Sequence, residues 1–164
     1  MAEQRDPENH LVLELPKGQV VIRLRPDLAP KHVAQIKALA REGFYDDTPF
    51  HRVMEGFMAQ GGDPTGTGTG GSKRPNINAE FSKAPFERGT VGMARSQNPH
   101  SANSQFFICF APARFLDGQY TVWGEVVEGM EHVDQLKKAP KSDRSGTVPN
   151  PDRLISMKVL ADVG

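Results

Sequence analysis

Apolar and polar residues alternate in two short runs near the start of the chain. Leu11–Leu15 reads Leu-Val-Leu-Glu-Leu, and Val20–Leu24 alternates again with Arg23 at a polar position. Alternation with a period of two is typical of strands that bury one face. Because Pro, Lys, Gly and Gln separate the two runs, the pattern predicts a β-hairpin over residues 11–24.

Two other segments show the spacing of an amphipathic helix. Residues 30–41 place apolar side chains three to four positions apart, with Pro30 suited to the first helical turn and Gly43 suited to end the helix. Residues 130–138 repeat this spacing, and Pro140 follows shortly after. The sequence therefore predicts two helices.

The remaining apolar runs are short and are separated by stretches rich in Gly, Pro, Asn and Asp. They begin at Phe50, Phe57, Val91, Gln105, Thr121 and Leu154. Many short strands with few helices favour a barrel or a sandwich. A length of 164 residues is that of one domain, so we expect a single domain over 1–164, with 1–10 as a polar N-terminal extension.

Charge and composition exclude several classes of partner. Twenty basic residues balance twenty acidic ones, so no net field attracts nucleic acid or an anionic membrane. No run of 18 apolar residues is present, and the polar N-terminus lacks the apolar core of a signal peptide. We therefore expect a cytoplasmic protein, and the sequence gives no reason to expect more than a monomer.

Familiar catalytic and cofactor motifs are not supported by their contexts. The G-x-G-x-x-G within Gly66–Gly71 lacks the flanking strand and helix of a dinucleotide site and is interpreted as a surface loop. The five histidines lack the spacing of metal ligands, so neither a metal nor a cofactor is expected. Cys109, the only cysteine, lies in an apolar run and is expected to be inert, and Ser104 lacks a nucleophile elbow.

A family resemblance rests on four blocks that occur in order along the chain. They are Phe50-His51-Arg52, residues 56–63 (Gly-Phe-Met-Ala-Gln-Gly-Gly-Asp), residues 104–108 (Ser-Gln-Phe-Phe-Ile) and residues 115–118 (Phe-Leu-Asp-Gly). These blocks, with a fifth at 124–130, resemble the cyclophilins, and the similarity extends over about residues 11–162.

The resemblance implies a mainly β fold, a closed eight-stranded antiparallel β-barrel capped by two α-helices. It implies peptidyl-prolyl cis/trans isomerase activity that assists protein folding, with proline-containing peptides and unfolded or flexible chains as partners. By the same resemblance Arg52 is catalytic, and substrate binds in an external groove. The implied groove residues are Phe57, Met58, Gln60, Ala94, Arg95, Gln105, Phe107, Phe115, Leu116 and Tyr120.

An arginine suits this chemistry because no covalent bond has to form or break. Rotation about an X-Pro bond is slow because it disrupts amide resonance, and a fixed donor near the imide nitrogen binds the twisted form preferentially. A guanidinium supplies such donors without proton transfer. The alternative is a proline-peptide binding module or chaperone with little dependence on turnover, which needs the pocket but not Arg52.

Two groove positions depart from the best-known eukaryotic cyclophilins. Phe115 stands where they carry Trp, and Tyr120 stands where they carry His, as in bacterial members. Phe115 has no indole N–H to donate, so we expect weak cyclosporin binding. The change at Tyr120 leaves the preference for the residue before proline open.

Overall fold

The computed structural model describes residues 6–68, 70–140 and 145–163. Two α-helices are present, α1 (Pro30–Arg41) and α2 (Met130–Asp134). The strands are β1 (His10–Leu15), β2 (Gly18–Leu24), β3 (Thr48–Pro49), β4 (Arg52–Met54), β5 (Met58–Gly61), β6 (Thr90–Met93), β7 (Phe106–Cys109), β8 (Val122–Glu128), β9 (Arg153–Leu154) and β10 (Ser156–Val159). The predicted hairpin corresponds to β1 and β2, and the first predicted helix has the bounds of α1.

Eight of these strands form one curled antiparallel sheet in the order β10-β1-β2-β8-β6-β7-β5-β4. The mainly β class with two helices is confirmed, but the prediction of a closed barrel overstates the closure. Among the described residues no ladder joins β4 to β10. The outer edge of β4 bonds instead to residues 146–148, where Val53 N–H donates to the Gly146 carbonyl and Val148 N–H donates to the His51 carbonyl. The strands β3 and β9, which precede β4 and β10, form a separate short pair.

Strand alternation separates the apolar side chains into two buried clusters. On β7, Phe106 and Ile108 belong to a large cluster that also contains residues of β1, β2 and α1. Phe107 and Cys109, the alternate residues, belong to a smaller cluster on the other face. Successive side chains of a strand point to opposite faces, so a run of four apolar residues supplies both the core and the second cluster.

Helix α2 is shorter than the predicted segment 130–138. It ends at Asp134, and the following residues form hydrogen bonds with distant parts of the chain. The backbone N–H of Lys137 donates to the Asp152 carboxylate at 2.8 Å, and that of Ala139 donates to the Val53 carbonyl at 2.9 Å. These tertiary partners replace the helical bonds that the apolar spacing predicted. Within the described ranges, neither helix is long and apolar enough to cross a membrane.

Candidate active site

Register across four neighbouring strands brings distant residues into one row on the outer face of the sheet. Arg52 of β4 pairs with Gln60 of β5, Gln60 pairs with Phe107 of β7, and Phe107 pairs with Gly92 of β6. Directly paired residues share a face, so all four lie on the same side. Val53, the neighbour of Arg52, points into the core and is fully buried. The predicted orientation of Arg52 opposite Val53 agrees with this arrangement.

The apolar floor of the site depends on a glycine. A Cβ atom on Gly92 would lie 2.7 Å from a Phe86 ring carbon and 2.8 Å from a Phe107 ring carbon, closer than side chains can approach. Phe86 stacks beneath Phe107, with ring centroids 5.6 Å apart. The missing side chain at Gly92 therefore gives these two rings room to form a solid base.

A cavity of about 110 Å³ opens above this floor. Its walls are apolar on one side, where Met58, Phe107 and Leu116 are each at least 92% buried, and polar on the other, where Arg52 lies. All nine lining residues are among those predicted from the sequence, namely Arg52, Phe57, Met58, Gln60, Ala94, Arg95, Phe107, Leu116 and Tyr120.

One wall of the cavity is an aromatic side chain held from both sides. The Tyr120 ring meets Phe107 edge-on, with centroids 5.7 Å apart, and the Arg95 guanidinium lies 4.6 Å from the Tyr120 centroid. Arg95 is itself fixed by donating to the Gln119 carbonyl from Nε and from one terminal nitrogen, at 3.1 and 2.6 Å. Arg95 thus acts through Tyr120 as well as lining the cavity.

The guanidinium of Arg52 is held by two acceptors. Its Nε donates to the Ser145 carbonyl at 2.9 Å, and a terminal nitrogen donates to Gln60 Oε1 at 3.4 Å. Gln60 Nε2 in turn donates to Gln105 Oε1 at 2.9 Å. These bonds fix the direction in which the remaining guanidinium N–H groups point.

A second cavity of about 520 Å³ adjoins the first and shares Gln60, Ala94 and Arg95 with it. Gln105 lines this larger cavity, together with small residues of the loop around Gly68–Ser72. Phe115 lines neither cavity. It is 72% exposed and lies beside the Phe57 ring at a centroid distance of 5.6 Å, at the rim of the smaller cavity.

The sequence analysis did not predict the roles of Gly92, Phe86 or the backbone carbonyl of Ser145 in this site. A glycine inside an apolar strand often marks a close approach, so Val91-Gly92-Met93 carried a usable signal. Phe86 lies outside any strand, and nothing in the sequence indicates that it stacks beneath Phe107. The Ser145 carbonyl is contributed by backbone, which no residue type reveals.

The surroundings of Ser104 and Cys109 do not favour nucleophilic catalysis by either residue. Ser104 is fully buried and donates its hydroxyl to the Gly62 carbonyl at 2.8 Å. Burial raises the pKa of the Cys109 thiol to about 12, which keeps it protonated and unreactive. Across the described ranges, no group of three or more His, Cys, Asp or Glu residues is placed to hold a metal ion.

His51, next to Arg52 in the chain, has a pKa below its usual value in the folded protein. Burial lowers its pKa, and the positive charge of Arg52 acts in the same direction, while Asp63 opposes them. The lowered pKa favours a neutral imidazole beside Arg52 in the chain.

The outer face of the curled antiparallel sheet thus carries an apolar pocket beside a fixed guanidinium, and amide side chains flank the pocket. Such a pocket is typical of proteins that bind an extended peptide at their surface. The model of the cyclophilin-type peptidyl-prolyl cis-trans isomerases matches residues 10–159. The chain belongs to that family.

Individual relatives agree with this assignment. A probable peptidyl-prolyl cis-trans isomerase of Brucella suis is 56% identical over 172 aligned positions, covering 98% of this chain and 87% of that protein. A peptidyl-prolyl cis-trans isomerase of Synechococcus elongatus is 39% identical, covering 92% of this chain and 96% of that protein.

Solved structures show the same fold. A cyclophilin from Hirschia baltica superposes with a TM-score of 0.86 at 30% identity, covering 99% of this chain and 77% of that one. A Cryptosporidium parvum cyclophilin, crystallised in the presence of the dipeptide Ala-Pro, superposes with a TM-score of 0.83 at 30% identity. The match covers 92% of this chain and 98% of that one. The chain is a peptidyl-prolyl cis-trans isomerase of the cyclophilin type.

Proposed function

We propose that the X-Pro bond of a bound chain rotates in the 110 Å³ cavity, with Arg52 as the catalytic residue. The observation that carries this proposal is the juxtaposition of a fixed guanidinium with a buried apolar floor in one cross-strand row. The floor made by Met58, Phe107 and Leu116 receives the proline ring. Arg52 then lies at the side of the ring where the imide nitrogen sits.

The proposed mechanism is differential hydrogen bonding. In the planar ground state the imide nitrogen shares its lone pair with the carbonyl and accepts hydrogen bonds poorly. In the twisted transition state the lone pair is localised, so a guanidinium N–H donates to it and lowers the barrier. The bonds from Arg52 to Ser145 and Gln60 hold the donor in place, which avoids reorganisation during rotation.

Gln60 and Gln105 have a different proposed role, which is to bind the peptide backbone. Both are partly buried and line the larger cavity beside the proline pocket. A peptide whose proline ring occupies the floor extends past these two amides. Gln60 Nε2 has a second N–H to donate to a peptide carbonyl, and Gln105 Oε1 can accept a peptide N–H, so the pair binds a backbone whatever its side chains. Ala94 and Arg95 border both cavities, so the same peptide would pack on the Ala94 methyl group and accept hydrogen bonds from the Arg95 guanidinium.

The proposed physiological substrates are X-Pro segments of unfolded or flexible chains. The groove lies on the outer face of the sheet, so an extended segment reaches it without threading into the interior. The selectivity is therefore for accessible extended proline segments rather than for one client.

The test is exchange NMR on a short Ala-Pro peptide with the unaltered protein, Arg52→Ala and Arg52→Lys. Removing one preorganised donor typically costs about 100-fold or more in rate. We expect Arg52→Ala to lose that much while peptide affinity changes little, because binding uses the apolar floor. Arg52→Lys keeps the charge but not the planar fork, so its rate should lie between the two.

The outcomes separate the isomerisation mechanism from the alternative. Full activity in Arg52→Ala would overturn the catalytic role of Arg52. If the unaltered protein shifts the peptide resonances but does not accelerate exchange, the groove is a proline-peptide binding module, and turnover is not its function.

A further inference from the structure

The glycine-rich loop that follows β5 is organised around one buried carboxylate. Asp63 is fully buried and accepts four hydrogen bonds from this loop. Its Oδ1 accepts from the Thr65 N–H at 2.8 Å and the Thr65 hydroxyl at 2.7 Å. Its Oδ2 accepts from the N–H of Gly68 at 2.7 Å and of Gly70 at 3.0 Å. The carboxylate is thus the centre around which Thr65, Gly68 and Gly70 are arranged.

Glycine is required where the loop wraps the carboxylate. A Cβ atom on Gly70 would lie 2.1 Å from Asp63 Oδ1, and Gly68 has a φ of +87°, which other residues rarely adopt. The repeated glycines that resemble a dinucleotide motif in sequence therefore serve to bring backbone N–H groups onto Asp63.

The opposite side of the same loop faces the substrate groove. The carbonyls of Gly68 and Gly70 both accept from Gln105 Nε2, at 3.0 and 2.9 Å. With Nε2 committed to the loop, Gln105 presents Oε1 to Gln60, and Gln60 presents its own Oε1 to Arg52. The chain of hydrogen bonds that fixes the orientation of both amides starts at the loop.

We infer that Asp63 is a positioning residue for the groove, holding the loop so that Gln105, Gln60 and Arg52 take up their orientations in turn. This inference rests on the proposed role of Arg52. Asp63 touches neither cavity and acts only through the loop.

The charge state of Asp63 supports this role. Burial alone would favour the protonated acid, but hydrogen bonds from the Thr65 side chain and from the backbone N–H groups of Gly70, Thr65 and Gly68 outweigh it and hold the pKa at about 2. The carboxylate is therefore ionised at neutral pH, and all four donors keep an acceptor.

Asparagine is the sharpest replacement because it preserves shape while removing acceptors. An asparagine NH₂ group in the Oδ2 position would face the N–H groups of Gly68 and Gly70. In the Oδ1 position the NH₂ group would face the N–H of Thr65. Either orientation sets donors against each other, so the loop must move away.

The experiment compares Asp63→Asn, Thr65→Val and Asp152→Asn with the unaltered protein. Exchange NMR gives kcat/KM per folded molecule, and ¹⁵N spectra follow the side-chain amides of Gln60 and Gln105 and the Nε–H of Arg52. Asp152→Asn is the matched control, because its carboxylate also accepts a backbone N–H, from Lys137 at 2.8 Å, and it lines neither cavity.

We expect Asp63→Asn to lower kcat/KM about tenfold and to shift all three resonances, since small displacements of positioned groups are costly. Thr65→Val removes one of the four hydrogen bonds and should shift the same resonances by a smaller amount. If Asp63→Asn fails to fold, Thr65→Val still tests the inference. Asp152→Asn should lower stability only.

Two failures are distinguishable. If Arg52→Ala is inactive but Asp63→Asn and Thr65→Val keep the unaltered kcat/KM and resonances, the inference is wrong while the proposed function stands. If Arg52→Ala remains fully active, the proposed function is wrong and the inference falls with it.

Discussion

Single residues in this molecule matter through their register rather than their type. Arg52, Gln60, Phe107 and Gly92 come from four strands, yet their pairing places them in one row. A shift of one residue in any of these ladders would send the side chain to the opposite face. The chemistry of the arginine is available only because β4 pairs with β5 as it does.

Gly92→Ala tests the floor of the pocket. The added methyl group has no room between Phe86 and Phe107, so we expect a loss of about 1–3 kcal/mol in the free energy of unfolding. Displacement of Phe107 should also raise the KM for a proline peptide about tenfold. Urea unfolding and exchange NMR measure the two effects.

Gly43→Ala is the control for that substitution. Gly43 follows α1 with a φ of +73° and lies outside both cavities, so alanine there strains the backbone without touching the groove. It should lower stability and leave KM unchanged. An unchanged KM in Gly92→Ala would contradict the role given to Gly92.

Phe115 governs the expected weak response to cyclosporin. Its ring is 72% exposed beside Phe57 and has no N–H to offer a ligand. Phe115→Trp adds that donor and should tighten cyclosporin binding about tenfold, the value of one hydrogen bond, as measured by calorimetric titration. Phe115→Leu supplies no donor and should not tighten it. Nanomolar inhibition of the unaltered protein would refute this prediction.

At the scale of elements, helix α1 obtains its N-terminal cap from a remote loop. Its N-cap residue, Ala29, has no side chain able to accept a hydrogen bond. Glu80 replaces it, because its carboxylate accepts the backbone N–H groups of Lys31 at 3.3 Å and His32 at 2.8 Å and contacts the buried His32 ring at 2.6 Å. A negative charge at this end of a helix is also favoured by the helix dipole.

Glu80→Ala should therefore destabilise the protein by about 1–3 kcal/mol, since it leaves two helical N–H groups and a buried imidazole without their acceptor. Urea unfolding measures the change. Glu131→Ala, which removes a largely exposed acid from α2, should change stability by less than about 0.5 kcal/mol. Equal effects of the two substitutions would show that Glu80 is not a cap.

At the scale of the whole molecule, stability is expected to fall in two stages as the pH is lowered. Burial lowers the pKa values of His32 and His51 below the unfolded value of 6.5, so the unfolded chain takes up protons first and stability drops as the pH falls below about 6.5. The pKa of Asp63 is about 2 in the folded protein and 3.8 in the unfolded chain. Its contribution of about 2 kcal/mol to the free energy of unfolding is therefore lost as the pH falls from 3.8 towards 2.

Urea unfolding between pH 8 and pH 2 measures both stages. Asp63→Asn has no proton to gain at this position, so its stability should depend less on pH between 4 and 2. A free energy of unfolding that stays constant from pH 7 to pH 4 would contradict the assignment of neutral, buried His32 and His51.

Sequence patterns determined the elements whose signal is local. The hairpin of β1 and β2 and the bounds of α1 followed from alternation, helical spacing and the Pro and Gly at the helix ends. Nine of the eleven site residues that the family resemblance named line one cavity, and their roles in binding and catalysis stay predictions. The hairpin and helix signals succeed because neighbouring residues carry them.

Only the tertiary structure decided the features whose causes lie far apart in the chain. Helix α2 ends at Asp134 because Lys137 and Ala139 bond to Asp152 and Val53. Within the described residues no ladder joins β4 to β10, because the outer edge of β4 bonds to residues 146–148. The role of the glycine-rich loop emerged only when its N–H groups met Asp63 and its carbonyls met Gln105. Hydrogen bonds of this kind form between backbone groups that every residue carries, so composition and spacing do not reveal them.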